Sequence, residues 1–197
     1  EKKTIGFVPT MGALHDGHIS LIRQAKKSCD VVVCSIFVNP TQFNNKNDLK
    51  KYPRTLEKDA VLLEKAKCTI VFAPTVNDVY PKNLDTSLVL DFKGRDRVME
   101  GEFRPGHFDG MAQVVKRLLD IVEPDQLLMG QKDFQQFTLV DFMIKKLKIK
   151  TKLVVCPIKR EKNGLAMSSR NERLTAEHRA KASLIYKTLQ AAYKKIN

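Results

Sequence analysis

The sequence predicts an α/β protein: a doubly wound parallel sheet with helices on both faces, followed by the beginning of a smaller C-terminal domain. Two observations carry that expectation. Short apolar, mostly β-branched runs alternate with segments of helical period from Thr4 to Ile158. The alternation then breaks at Lys162-Asn163-Gly164, and Asn-Gly is a strong short hairpin signal. The expected division is 1–158 for the sheet domain and 159–197 for the start of the second domain, which is expected to continue further.

Each element has its own reason. Thr4–Val8 reads as a strand, and Ile19–Lys27 as a helix with Ile19, Ile22 and Ala25 on one face. Val31–Val38 is an apolar, mostly β-branched run broken only by Ser35, typical of a strand buried on both faces. Pro53-Arg54-Thr55 opens a helix to about Lys67, with Thr55 as its N-cap. Cys68–Ala73 and Ser87–Phe92 read as strands. Asp109–Val122 repeats Ala112, Val115, Leu119 and Val122 at helical spacing. Gln126–Met129 is a strand, Phe134–Leu147 a helix and Leu153–Ile158 a strand. Leu165–Ser168 is the expected return strand of the hairpin, and a helix runs from Thr175 to about Lys195.

The 197 residues suffice for one sizeable core, and 43% hydrophobic residues argue against disorder. No apolar run approaches the roughly 20 residues of a membrane helix, and the short run ending at Pro9 is too short for a secretory segment. A soluble cytoplasmic protein is expected. Cys29, Cys34, Cys68 and Cys156 have neither C-x-x-C spacing nor a histidine placed to complete a zinc site, so they read as reduced core thiols. Lys and Arg outnumber Asp and Glu by 35 to 22, a net charge of +13 that invites nucleic acid or small anionic substrates as ligands. The basic residues are scattered, and no Trp and only 4 Tyr accompany them, which argues against a stacking nucleic-acid surface.

Chemistry concentrates in five segments. Pro9-Thr10-Met11-Gly12-Ala13-Leu14-His15-Asp16-Gly17-His18 joins the first strand to the first helix. It places two imidazoles near the positive end of a helix, where phosphate is attracted. Gly17 allows close backbone approach, and His15 and His18 can donate to phosphoryl oxygens. In Gly130-Gln131-Lys132-Asp133-Phe134-Gln135-Gln136, Lys132 suits phosphate, Asp133 suits ribose hydroxyls and Gln136 a carboxylate or hydroxyl. In Ala166-Met167-Ser168-Ser169-Arg170-Asn171, two hydroxyls and a guanidinium suit a triphosphate clamp. In Phe37-Val38-Asn39-Pro40-Thr41-Gln42-Phe43, Asn39 and Gln42 can orient a small polar substrate. Arg104 and His107, within Glu100–Gly110, are candidate anion or subunit contacts. Taken singly, each segment also has an ordinary reading: surface histidines, a helix cap, a hydrophilic loop, or a turn.

Taken together and in this order, the segments resemble the pantothenate synthetase (pantoate–β-alanine ligase) family, from Gly6 to about Ala180. The H-x-G-H run is also similar to the "HIGH" signature of nucleotidyltransferases and class I aminoacyl-tRNA synthetases, and Met167–Asn171 stands where those enzymes carry "KMSKS". The resemblance implies a Rossmann-like, HUP-type fold and ATP-dependent condensation of pantoate with β-alanine through a pantoyl-adenylate, with Mg2+. By motif position it implies that His15 and His18 stabilise the phosphorus. Lys132, Ser168, Ser169 and Arg170 would hold the departing phosphates. Pro9, Thr10, Met11, Gly17, Gly130, Asp133, Lys159 and Met167 would contact ATP, and Gln42, Gln136, Asn39 and Tyr52 would contact pantoate. Asp59 is the candidate magnesium ligand, although Lys58 stands where many relatives carry an acid. The resemblance further implies a homodimer, a lid formed by the second domain, and no nucleic-acid or membrane partner. Two alternatives stay open on the residues alone. One is a nucleotidyltransferase acting on a phosphorylated acceptor, which leaves Gln42 and Gln136 unexplained; the other is a basic RNA-binding module.

Overall fold

Successive side chains leave a strand on opposite faces, so a strand apolar at nearly every position needs cover on both sides. The computed structural model, which describes residues 2–43 and 46–196, contains five strands, of which the three central ones are covered on both faces and the two at the sheet edges are partly exposed. In chain order the elements are β1 (Ile5–Thr10), α1 (Asp16–Ala25), β2 (Val31–Ile36), α2 (Lys46–Lys51), α3 (Leu56–Lys65), β3 (Ile70–Phe72) and α4 (Val76–Val79). There follow α5 (Glu100–Phe103), α6 (His107–Val122), β4 (Gln126–Gly130), α7 (Phe134–Lys146), β5 (Lys152–Cys156) and α8 (Ala176–Ile196). Short 3-10 turns occupy Pro40–Gln42 and Ser169–Arg173. The outermost residues of the two expected domains, Glu1 and Asn197, lie outside the described residues.

The strands form one sheet in the order β3-β2-β1-β4-β5, with every pairing parallel. This is the doubly wound α/β architecture expected from the alternating pattern. Phe7, Val33, Leu127 and Met129 face one layer, where α6 and α7 supply Met111, Val115, Leu119, Leu139 and Met143. Val8, Val32, Cys34 and Leu128 face the other, covered by Ile19, Ile22 and Ala25 of α1 and Leu63 of α3. Phe7 and Leu127 are fully buried, and burying a side chain of that size contributes about 1.5–3 kcal/mol. The four cysteines are free thiols; Cys34 and Cys156 are buried. Strand order reverses between β1 and β4, and the loops leaving those two strands open a crevice at the carboxyl edge of the sheet.

Several expected boundaries move. β1 runs on to Thr10, and α1 begins at Asp16 rather than Ile19, so the second motif histidine sits inside the first helical turn. Ser87–Phe92 is not a strand. Its alternation is real: Leu88, Leu90 and Phe92 pack on the core while Val89 is 98% exposed. However, Gln113 of α6 donates to the Thr86 carbonyl at 3.0 Å, and the segment lies against the helical layer instead of joining a ladder. The return strand expected at Leu165–Ser168 is reduced to one antiparallel bridge, Arg160 to Ala166. The turn itself forms, with Glu161 N–H donating to the Leu165 carbonyl at 2.8 Å. Ser168 then caps the 3-10 turn by accepting from Arg170 N–H at 3.3 Å, which ends any strand. On α8 the apolar residues Leu184, Ile185, Leu189 and Tyr193 are exposed, as expected of one helix with little to pack against.

Candidate active site

The β1–α1 connection is fixed from both ends. Thr10 Oγ1 donates to the Ser35 carbonyl at 2.7 Å and accepts from Gly12 N–H at 3.2 Å. Asp59, on α3 and 1% exposed, accepts from Leu14 N–H at 2.8 Å, Ala13 N–H at 3.0 Å and Thr55 Oγ1 at 3.1 Å. One carboxylate therefore holds the loop through its left-handed residue Ala13 (φ 50°) and delivers His15 to the helix N-cap. The Thr55 hydroxyl, expected to cap α3, is engaged by Asp59 and makes no cap hydrogen bond.

Hydrogen bonding fixes both imidazole tautomers. His15 Nδ1 accepts from Gly17 N–H at 3.1 Å, and His18 Nδ1 accepts from His15 N–H at 3.3 Å. A neutral ring with an accepting Nδ1 carries its proton on Nε2, so each ring offers one N–H donor. The ring centroids are 4.0 Å apart. Burial, with the Lys132 charge second, pushes His15 below the usual imidazole range. Burial, then His15 and Lys132, lowers His18 to about 3. Both rings are neutral at physiological pH. Gly17 makes this folding-back possible, because a Cβ there would lie 2.7 Å from His15 Cε1.

These histidines line a cleft of about 270 Å³. A second wall comes from the β4–α7 connection and the first turn of α7, where Gly130, Lys132, Asp133 and Gln136 line the cleft. Lys132 Nζ rests on Asp133 Oδ1 at 2.6 Å, both half exposed. A third wall comes from Lys159 and Met167–Arg170. Asp48 of α2 ties that wall across the mouth, pairing with Arg170 Nη2 at 3.3 Å and Arg173 Nη1 at 3.0 Å. The Arg170 guanidinium stands 5.9 Å above the ring of Tyr52, which is buried. Inside, Gln42 Nε2 donates to Met11 Sδ at 3.1 Å, and Met111, Val114, Val115 and Leu118 supply an apolar surface.

Every site candidate named from the sequence lines this cleft except Asp59. As a magnesium ligand Asp59 is corrected: both its oxygens are taken by the loop and by Thr55, away from the opening. Asn39 lines the cleft, but its amide is already engaged. Nδ2 donates to the Gly110 carbonyl at 3.1 Å, and Oδ1 accepts from Thr41 Oγ1 and Tyr80 OH. Arg104 and His107 also line it; His107 is 5% exposed, which removes it from any subunit surface. The sequence assigned these two no part in the reaction, and it did not reveal the apolar wall of α6. Val114, Val115 and Leu118 belong to the core and also face the cleft, so the stripe of α6 carries no separate signal for that wall.

The whole chain, residues 1–197, matches the sequence profile of the family described as pantoate-beta-alanine ligase. It belongs to that family. Pantothenate synthetase of Flavobacterium psychrophilum is 55% identical over 198 aligned positions, covering 98% of this chain and 69% of that protein. The crystal structure of pantothenate synthetase from Thermus thermophilus superposes with a TM-score of 0.91 at 43% identity, covering 95% of this chain and 68% of that one. A ligase from Francisella tularensis, described as complexed with beta-gamma ATP and beta-alanine, gives 0.88 at 47% identity, covering 95% and 72%. The chain thus spans about two thirds of the length of these ligases.

Proposed function

We propose that this chain activates pantoate with ATP as a pantoyl-adenylate, releasing pyrophosphate, and then joins it to β-alanine, releasing AMP. One observation carries the reading: two neutral imidazoles, each presenting Nε2–H, stand at the start of a helix in a cleft that Lys132 also lines. Such donors strengthen as negative charge builds on a phosphoryl group, and they need no proton transfer to act. The pantoate carboxylate attacks the α-phosphorus in line and pyrophosphate departs. The β-alanine amine then attacks the acyl carbon, and AMP leaves with the bonding pair. Positioning and charge stabilisation do most of the work.

Lys132, Ser168, Ser169 and Arg170 take the departing phosphates. Pro9, Thr10, Met11, Gly17, Gly130, Asp133, Lys159 and Met167 face ATP. Gln42 and Gln136 hold the polar groups of pantoate, Tyr52 closes that end, and the apolar wall of α6 receives its branched carbon body. Asn39 serves this end by holding the 3-10 turn. Residues 159–197 begin a lid over the site made by 1–158, and keeping water from the mixed anhydride is its purpose.

The side chains do not fit a resident magnesium ion. Among the described residues no group of three His, Cys, Asp or Glu could hold a metal, and the Asp59 carboxylate is occupied by backbone amides. Magnesium belongs here to the triphosphate of the ATP substrate. A homodimer and a cytoplasmic location follow from the family resemblance; no described helix is long and apolar enough to cross a membrane.

The test is pyrophosphate release by this chain with ATP, magnesium and pantoate, with and without β-alanine. Pantoate-dependent release is expected, and His18→Ala lowers it at least about a hundredfold, the scale of one transition-state donor. Release that requires a phosphorylated acceptor instead of pantoate overturns the reading.

A further inference from the structure

We infer that His107 is a positioning residue that fixes Gln42 at the cleft wall through a relay running Glu100–Arg104–His107–Gln42. The inference rests on the proposed role of Gln42 toward pantoate. His107 opens α6 and touches a residue 65 positions earlier: its Nδ1 lies 2.9 Å from the Gln42 carbonyl. Its other nitrogen, Nε2, lies 3.1 Å from Arg104 Nη1. A guanidinium has no acceptor, so Nε2 must accept and the ring proton must sit on Nδ1. A carbonyl can only accept, so that proton is donated to Gln42. Both contacts thus demand one and the same neutral tautomer, and burial favours the neutral ring. Arg104 is itself held by Glu100, one helical turn back.

The relay adds to a segment that the Asn39 side chain also holds, its Nδ2 lying 3.3 Å from Gln42 Oε1. The Asn39 amide reaches the Gly110 carbonyl, and a Cβ on Gly110 would lie 2.4 Å from the Thr41 carbonyl, so α6 and the Pro40–Gln42 turn are in close contact. His107 supplies the hydrogen bond at the C-terminal end of that turn, on the residue whose amide faces the cleft. Its tautomer is opposite to that of His15 and His18, as suits a ring that donates into the fold and not outward.

Two measurements test it. Long-range 1H–15N NMR of this chain should report His107 as the Nδ1–H tautomer; an Nε2–H signal overturns the relay outright. In pyrophosphate-release assays, His107→Ala should raise KM for pantoate about tenfold, the scale of one buried hydrogen bond, with KM for ATP within about twofold. His107→Asn, whose amide N–H reproduces the Nδ1 donor, should recover most of the loss, and His107→Gln should not. Equal damage from all three variants, or parallel shifts in both KM values, overturns the inference. Gln42→Ala separates the two levels. If it leaves pantoate KM at wild type, the pantoate reading of Gln42 fails; if it raises KM while His107→Ala does not, only the relay fails. Thermal melting of each variant identifies those that fail to fold.

Discussion

The walls of the cleft are held in two different ways. At the β1–α1 wall, a buried carboxylate and backbone hydrogen bonds fix Thr10–His18, and the His15 and His18 rings are uncharged. At the Met167–Arg173 wall, ion pairs to Asp48 bind arginines that remain 47% and 44% exposed, and such pairs contribute about 0–1 kcal/mol. The first wall is fixed by the fold itself; under the proposed function, the second would exchange its acidic partner for a phosphate with little loss. A site that must stabilise a transition state yet admit and release a bulky nucleotide is served by that division.

Breaking the fixed wall has the largest expected effect. Asp59→Ala leaves the Ala13 and Leu14 amides without their acceptor, and should cost about 3–5 kcal/mol in urea unfolding, with loss of pantoate-dependent pyrophosphate release. A loss below about 1 kcal/mol would show that the loop holds itself. Gly17→Ala is next. Its methyl displaces the His15 ring and should slow adenylate formation about tenfold in single turnover, within the 1–3 kcal/mol of an overpacked contact.

Acid probes the same wall without mutation. His18 has a folded pKa of about 3 against an ordinary 6.5, so between those values the unfolded chain binds the extra proton. The stability this ring confers is complete above about pH 6.5 and is lost as pH falls toward 3. Imidazole Cε1–H shifts should show His18 neutral at about pH 5, and a midpoint near 6.5 would contradict the buried site. The smallest effect belongs to the tethered wall. Asp48→Ala should change KM for ATP by no more than about threefold and leave a melting curve nearly unmoved, with the difference vanishing in high salt.

The fold was largely legible because the doubly wound pattern is local: the apolar runs read as strands at Val31–Val38 and Gln126–Met129 form β2 and β4 with ends shifted by one or two residues. Two of the motifs that line the cleft were legible in the same places, since Pro9–His18 and Gly130–Gln136 sit where a strand hands over to a helix; Met167–Arg170, after the hairpin, was legible only by its residue types. What stayed hidden depends on distant partners. Nothing near Asp59 says that its carboxylate meets amides 45 and 46 residues earlier, and only the family resemblance offered it a role, as a magnesium ligand. Ser87–Phe92 alternates like a strand, but alternation specifies a buried side and not a ladder. His107 was visible as a residue type, and its role was not, because the carbonyl it serves is fixed only when α6 docks on the Pro40–Gln42 turn.

The small size of Gly17 has a consequence beyond its own turn. The space a methyl would occupy there is bounded on one side by the His15 ring and on the other by Met167, whose Cβ is 3.5 Å away. The stationary and the exchangeable halves of the cleft therefore abut at a single hydrogen atom. If the second domain acts as the proposed lid, lifting Met167 would change the surroundings of the neighbouring imidazole, and the His15 resonance would report it.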